Sequence, residues 1–473
     1  MNFMTLKRQI AHNTIVQLAG KIISTVLGLL TIFLIIRSLG AEKFGWYTTA
    51  IGFLQFVGIF SDFGFMITTA NMLAEPKFDK EKLLNNLFTL RFISAIIFQG
   101  LAPLLFLLFP YPTEVKIAVA ITSLSFFAIS ISQVFSGYFQ KELKTQIITA
   151  GELIGRAVLL IGVILLIKYN AAFLPFMFIL TSASIINALY LFYKMPKIQF
   201  AFDKEIFQSI FQKIYPTALC IIFNSFYLQG DRVILPLFST QTMVGFYGAA
   251  YRVLDVIVQT AALTMGIIAP LLAYFYSRAQ HTEFKKHLQM AFDLMSLLLI
   301  PLMIGAATLS EPIMQFVGGD EFVGSGRILT LLSWTIFGIC LGIVFGYTAL
   351  AINKQKQAIW IYLSDAILSV AGYFIFIPRF GIYGAAGVTI FSEVYAGLML
   401  MFLVYYNTNF LPHLKALIKI LLAGFIMYLF IKYVKLPHVM FSIILGGVVY
   451  SAFILLFRVV SKETIREIIR PKN

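Results

Sequence analysis

Apolar segments about 20 residues long repeat along almost the whole chain, and short polar gaps separate them. A helix of about 20 apolar residues is long enough to cross the hydrocarbon core of a bilayer. The pattern therefore predicts an all-α integral membrane protein with fourteen transmembrane helices. The predicted spans cover residues 13–36, 44–70, 83–109, 115–139, 150–167, 171–193, 214–237, 243–276, 288–309, 328–352, 358–377, 382–406, 414–431 and 439–457.

The basic residues are concentrated in every second gap. With the N-terminus placed in the cytoplasm, 24 of the 36 Lys and Arg residues, Arg91 among them, belong to the inner side. Nine belong to the outer side, and Lys21, Arg156 and Arg252 lie inside spans. Because cytoplasmic loops of membrane proteins carry an excess of Lys and Arg, the split predicts that both termini are cytoplasmic. The same rule accounts for the net charge of +15 without a nucleic-acid partner.

Enzymatic and metal chemistry find no support in the sequence. The gaps are too short for a folded extramembrane enzyme domain, so the cyclic-dinucleotide synthase signature spelled by residues 318–322 is a coincidence. The two cysteines, Cys220 and Cys340, lie inside apolar segments. The five histidines are not spaced as metal ligands. We therefore expect no cofactor and no bound metal.

An internal repeat divides the chain. Gly45-Trp46-Tyr47 at the start of the second span matches Gly245-Phe246-Tyr247 at the start of the eighth. Because six spans separate the two copies, both halves insert with the same orientation, as in transporters built from parallel repeats. We expect an N-terminal lobe at residues 1–200, a C-terminal lobe at 201–410, and two extra helices with a basic tail at 411–473.

Three stretches carry a family resemblance. They are RSLGAEKFGWYTTAIGFLQFVGIFSDFGF from Arg37, DRVILPLFSTQTMVGFYGAAYRVLD from Asp231 and GGDEFVGSGRILTLLSW from Gly318. They resemble the bacterial polysaccharide and O-antigen flippases, a branch of the MATE-like MOP exporter superfamily. The resemblance implies two six-helix lobes around a central cavity. It also implies movement of a polyprenyl-pyrophosphate-linked oligosaccharide from the cytoplasmic to the outer leaflet.

Polar side chains recur on one face of four predicted spans. They are Gln17 and Lys21, Gln55 and Asp62, Asn224 and Asp231, and Tyr251 and Asp255 with Arg252 beside them. A charge at the bilayer centre costs roughly 2.5–3.5 kcal/mol even on insertion scales, so such a residue pairs or faces water. The stripes predict a shared polar cavity. The alternative, buried hydrogen bonding between helices, stays open for each uncharged residue.

Each polar residue has an expected role. Lys21, Arg252 and Arg232 would donate charge-assisted hydrogen bonds to pyrophosphate. Gln17, Gln55, Asn224 and Tyr251 would contact sugar. Asp62, Asp231, Asp255 and Glu393 would be charge partners or ion-coupling groups, with Glu393, like Asp365, a candidate for H⁺ or Na⁺.

Specific pairings follow from depth and spacing. Residue counting places Lys21 and Asp62 at equal depth, which predicts that their side chains approach within salt-bridge or one-water distance. Glu152 and Arg156 are an i,i+4 pair on one helix and are expected to satisfy each other. Arg252 is expected to be held by Asp231 or Asp255.

The sequence thus predicts an alternating-access flippase of the plasma membrane, whose partners are a lipid-linked glycan, membrane lipid and, as a candidate, glycan polymerase machinery. A cation-coupled MATE-type drug exporter is the alternative, although it would need a net acidic cavity. A membrane-bound glycan polymerase or ligase would need a large outer loop with catalytic groups, and the chain has none.

Overall fold

The computed structural model describes residues 3–62, 72, 78–434 and 436–459, with the side chains of residues 3–18, 213–218, 220 and 221 left aside. This part of the chain is helical and contains no strand. The helices are α1 Phe3–Asp62, α2 Lys80–Phe106, α3 Thr113–Lys141, α4 Thr145–Lys168, α5 Phe173–Lys194, α6 Lys204–Phe238, α7 Gln241–Ser277, α8 His281–Thr308, α9 Ser310–Gly318, a 3₁₀ helix Asp320–Ser325, α10 Gly326–Ser333, α11 Thr335–Ala351, α12 Gln355–Thr408, α13 Lys415–Tyr433 and α14 Val439–Leu456.

Two of the longest helices are interrupted at glycines. The backbone of Gly40 has φ 71° within α1, and that of Gly381 has φ 56° within α12. Glycine adopts positive φ without the steric cost that a Cβ atom imposes. Both breaks fall where the hydropathy pattern places a boundary between consecutive spans, so α1 and α12 each contain two helical segments.

Membrane-crossing helices dominate the described residues. Ten helices are long and apolar enough to span a bilayer, and the bent pair of residues 320–333 with α11 would make eleven. The tenth predicted span, residues 328–352, is not one straight helix, because a bend of 43° separates α10 from α11. Thr335 at the bend donates its hydroxyl to the carbonyl of Leu332. Such local side-chain bonds compete with the helical ladder and bend helices.

The chain divides into two compact units, Met1–Gly245 and Phe246–Asn473. In the first unit a buried apolar cluster joins α2, α3, α5 and the start of α6. In the second unit α11 and α12 pack so closely that a Cβ atom added at Gly338 would stand 2.4 Å from the backbone of Glu393. α13 and α14 pack on each other and on α8, where the Tyr450 hydroxyl donates to the carbonyl of Leu297 at 2.9 Å.

Within the first unit, the repeated glycine motifs meet. A Cβ atom on Gly45 would stand 1.8 Å from the carbonyl oxygen of Gln241. A Cβ atom on Gly245 would stand 2.0 Å from the carbonyl oxygen of Ala41. The contact is reciprocal between repeat-equivalent residues, and only glycine permits backbones to approach this closely.

In each unit, hydrogen bonds fix the segment that follows a predicted span, the sixth span in the first unit and the twelfth in the second. In the first unit, Asn85, Thr89 and Asn86 on α2 accept hydrogen bonds from the backbone amides of residues 199, 201 and 203 at 3.0, 2.9 and 2.7 Å. In the second unit, Gln289 on α8 accepts from the amide of His413 at 2.8 Å and donates to its carbonyl at 3.1 Å. The connecting segments are therefore fixed to the helices of their own unit.

Candidate functional site

Lys21 lies on the first segment of α1 and pairs with α4. Its Nζ is 3.5 Å from Glu152 Oε1, and the two side chains are 43% and 34% exposed. The predicted Lys21–Asp62 pair is wrong, because Asp62 pairs elsewhere. Residue counting predicts an equal depth for the two groups but leaves open the direction in which each side chain points around its helix axis. The predicted Glu152–Arg156 pair is wrong as well, since Glu152 reaches across to α1.

Asp62, at the end of α1, forms its ion pair with Arg91 on α2, at 3.1 Å. The Arg91 side chain is 1% exposed and also donates to the carbonyls of Ser61 and Ser130 and to Gln133 Oε1. Arg91 therefore lies buried between α1, α2 and α3 rather than in a loop, and its assignment to the inner side of the membrane stays a prediction.

Gln55 and Arg232, two predicted substrate contacts, lie together. Arg232 Nη1 on α6 is 3.4 Å from Gln55 Oε1 on the second segment of α1. The preceding residue, Asp231, is fully buried, and its carboxylate accepts from the backbone amide of Arg232 at 2.8 Å. Asn224 lies two turns earlier on α6 and donates to the Tyr227 hydroxyl at 3.3 Å. Asn224 and Asp231 lie on one face of α6, and Arg232 beside them reaches Gln55 of α1.

The second unit contributes Arg252 and its neighbours on α7. Arg252 Nη1 is 3.3 Å from Asp255 Oδ2, and both side chains are partly exposed, at 22% and 28%. The predicted pairing of Arg252 with Asp255 is confirmed. The ring of Tyr251 lies 5.2 Å from that of Tyr247, whose hydroxyl is 3.4 Å from Thr389 Oγ1.

Two acids are buried in α12. The Asp365 carboxylate accepts hydrogen bonds from Ser369 at 3.1 Å and from Ser392 at 3.0 and 3.2 Å. Glu393, which follows Ser392, is 8% exposed. Both acids face the packed interior of the second unit, where a carboxylate needs such donors to remain in a low-dielectric environment.

Gln17 has a side chain outside the described residues, so its predicted role stays a prediction. The sequence analysis assigned no functional or buried role to two arginines, Arg91 and Arg156. Arg91 lies about two helical turns inside the predicted third span, a depth similar to that of Lys21, and this depth was the signal for a buried role. No group of three or more potential ligands for a metal ion occurs in the described part of the chain.

Known structures share this fold. The lipid II flippase MurJ in an inward closed conformation matches with a TM-score of 0.79 at 19% identity, covering 96% of this chain and 100% of the other. An inward-facing multidrug resistance MATE transporter of the MOP superfamily matches with a TM-score of 0.67 at 12% identity, covering 84% and 98%. A MOP superfamily transporter from Pyrococcus furiosus, described as having a binding pocket of reverse polarity, matches with a TM-score of 0.59 at 12% identity, covering 85% and 96%.

Sequence relatives point to the same group. The probable low-salt glycan biosynthesis flippase Agl15 of Haloferax volcanii is 26% identical over 185 residues, which are 39% of each chain. The match thus spans well under half of that relative. The family model described as polysaccharide biosynthesis protein matches residues 10–276, more than half of the chain. The resemblance to polysaccharide flippases seen in the sequence motifs is confirmed at the level of the family, and the chain belongs to the polysaccharide biosynthesis protein family.

Proposed function

We propose that this protein is a flippase that moves a polyprenyl-pyrophosphate-linked oligosaccharide from the cytoplasmic to the outer leaflet of the plasma membrane by alternating access. The observation that carries the proposal is Arg252, which lies within a membrane-crossing helix, is partly exposed and is held by Asp255 at 3.3 Å. An intramembrane arginine marks a substrate or ion pathway. Two relatives described as flippases, Agl15 and MurJ, support the same class of activity.

The anionic end of the substrate would be met by the cations. Lys21, Arg232 and Arg252 present ammonium or guanidinium groups within helices, and guanidinium groups bind phosphate oxygens in a bidentate manner. Gln55 lies beside Arg232 and would donate to the first sugars, together with Gln17, Asn224 and Tyr251. The prenyl chain would stay in lipid, because transfer of its methylene groups into water is unfavourable.

The acids would balance these cations or couple transport to an ion. Asp255 and Asp231 adjoin Arg252 and Arg232 in sequence and would hold them in position. Asp62 is bound by Arg91, so we assign it a structural rather than a substrate role. Glu393 is the candidate group for coupling to H⁺ or Na⁺, and the buried Asp365 accepts a hydrogen bond from Ser392, the residue before Glu393.

The proposal includes fourteen crossings in two lobes, residues 1–200 and 201–410, with two further helices at 411–473 and both termini in the cytoplasm. Counting α1 and α12 as two crossings each adds two to the eleven found by length and hydropathy. The 35-residue helix α6 supplies the fourteenth. The protein would act without a cofactor or nucleic acid, as a transporter rather than an enzyme, and would supply glycan polymerase machinery.

A cation-coupled drug exporter is the second candidate, because MATE transporters share the fold. At 12% identity that similarity concerns the fold alone. The intramembrane cations Lys21 and Arg252 disfavour it, since a cationic drug is repelled by like charges in a site of low dielectric constant.

Surface glycan in cells that depend on this protein for export tests the role of Arg252. We expect Arg252→Ala to abolish export while the protein still inserts, because the phosphate loses its donor. Arg252→Lys keeps the charge but not the planar fork, so partial export is expected. If Arg252 only neutralises Asp255, the double variant Arg252→Leu with Asp255→Leu restores export. That result would remove Arg252 from the substrate site.

A further inference from the structure

Arg156 is an intramembrane cation that the roles assigned above leave unused. It is the twelfth of the 24 residues of α4, so it lies about 17 Å from either end of the helix. Its expected partner, Glu152, is 3.5 Å from Lys21 instead. Within the described part of the chain, no ion pair between Arg156 and an acidic side chain lies within 4.0 Å. Arg156 therefore lies at the middle of a helix that is long and apolar enough to cross a membrane, with no acidic side chain in direct contact among the described residues.

The guanidinium of Arg156 lies against α1 at Gly28, a residue without a side chain. A Cβ atom added at Gly28 of α1 would stand 3.2 Å from Arg156 Nη1 and 3.4 Å from Arg156 Cζ. The guanidinium group thus packs against the backbone of Gly28, and a larger side chain at this position would occupy the same space. Gly28 is seven positions after Lys21, so the two are on the same face of α1 and about 10 Å apart along its axis.

The packing of α1 on α4 sets this geometry. A Cβ atom added at Gly20 would stand 1.9 Å from Thr149 Cγ2, so the two helices touch at Gly20. The contacts then advance along both helices in the same direction, from Gly20 with Thr149 to Gly28 with Arg156. An adjacent face of α4 packs on α5, where a Cβ atom added at Gly155 would stand 3.1 Å from the carbonyl oxygen of Ala183. Arg156 is therefore held at one height and pointed toward α1.

The cost of placing a charge in hydrocarbon limits what the exposed part of Arg156 can face. Arg156 is partly exposed, and a lone guanidinium exposed to hydrocarbon at the bilayer centre is strongly unfavourable. The exposed part must accordingly face water or an anion. Phospholipid headgroups lie at the membrane surface, about 17 Å away, so the anion has to be carried inward.

We propose that Arg156, seated on Gly28, is a pyrophosphate-binding residue of the first unit, which receives the anion about 10 Å deeper than Lys21. This inference rests on the proposed function and names an additional cation for the same substrate class. Lys21, which is partly exposed and pairs with Glu152 at 3.5 Å, would attract the anion at the entrance, and Arg156 would hold it at mid-depth. The two cations form a path along one face of α1.

Equilibrium binding of labelled farnesyl pyrophosphate to the full chain in phosphatidylcholine nanodiscs tests the proposal, with farnesol as the uncharged comparison. We expect Arg156→Gln to weaken farnesyl pyrophosphate binding about tenfold or more, because charge-assisted hydrogen bonds are lost, and to leave farnesol binding unchanged. Arg156→Lys should recover part of the affinity. Gly28→Leu keeps the charge but fills the space at Gly28, and it should also weaken pyrophosphate binding. Lys168→Gln, at the end of the same helix, is the matched control and should bind like wild type.

The outcomes separate this inference from the proposed function. If the wild-type protein binds no farnesyl pyrophosphate, the proposed substrate class fails and the role of Arg156 fails with it. If the wild type binds and Arg156→Gln binds equally well, only the Arg156 proposal is overturned. Equal loss of farnesol binding would show a structural role and would also overturn it. Loss of Arg156-dependent binding when phosphatidylglycerol is added to the nanodiscs would assign the site to a lipid headgroup instead.

Discussion

Arg91 organises the first unit at the scale of single residues. It is almost fully buried and holds the end of α1, through Asp62 and Ser61, against Ser130 and Gln133 of α3. Removal of one member of a buried ion pair leaves an uncompensated charge, which is far more costly than loss of a surface pair. The stability of this unit therefore depends on Arg91 more than on the half-exposed Lys21–Glu152 pair.

Replacement of Arg91 tests this dependence. We expect Arg91→Ala to lower the free energy of unfolding by about 3 kcal/mol, because Asp62 loses its cation and the carbonyls of Ser61 and Ser130 lose their buried donor. Ser94→Ala is the control, since Ser94 donates only to the carbonyls of Ser61 and Arg91 and its loss should cost about 1 kcal/mol. Denaturant titration in mixed micelles measures both. Equal, small losses in the two variants would contradict the anchoring role of Arg91.

The same residues show how far sequence reasoning reaches. The spacing on one helix placed Asp255 among the two predicted partners of Arg252, and the two side chains pair at 3.3 Å. Partners on different helices depend on how the helices are rotated about their axes, and the pattern of one sequence leaves that rotation open. For this reason Lys21 and Asp62 each bind a different partner from the one expected.

At the scale of helices, glycines determine which backbones touch. Gly45 and Gly245 contact the carbonyls of Gln241 and Ala41 at distances that exclude any Cβ atom. The sequence predicted the repeat from these motifs, and their mutual contact explains why both copies contain glycine. At Gly40 and Gly381 glycine serves a different purpose, because the backbone adopts a positive φ at each helix break.

Alanine substitutions separate these glycines from unconstrained ones. Gly45→Ala and Gly245→Ala place a methyl group within 1.8 and 2.0 Å of a backbone oxygen, so the helices must move apart. We expect each to cost about 1–3 kcal/mol or more, as overpacked cores do, and to reduce export. Gly100→Ala is the matched control, because its new methyl group would have no neighbouring atom within 4 Å and alanine favours the helix. Unchanged melting temperatures in Gly45→Ala and Gly245→Ala would contradict the close contact.

At the scale of the whole molecule, hydropathy predicted the class of fold because every span must satisfy its own backbone hydrogen bonds in lipid. Ten described helices are long and apolar enough to cross a bilayer, and the predicted tenth span is bent at Thr335. The sequence motifs also predicted the family. The substrate site could be predicted only as a set of candidate residues, since its assembly depends on side-chain directions across several helices.

Selective transport by the purified protein tests the central claim most directly. Proteoliposomes would contain a prenyl-pyrophosphate disaccharide with a fluorophore on the sugar, and externally added dithionite would quench only the outer leaflet. We expect the wild-type protein to make the inner pool of labelled lipid accessible to dithionite, and to leave the distribution of the cation ethidium unchanged under H⁺ or Na⁺ gradients. Accumulation of ethidium with no movement of the lipid-linked disaccharide would contradict the flippase assignment and favour the drug exporter.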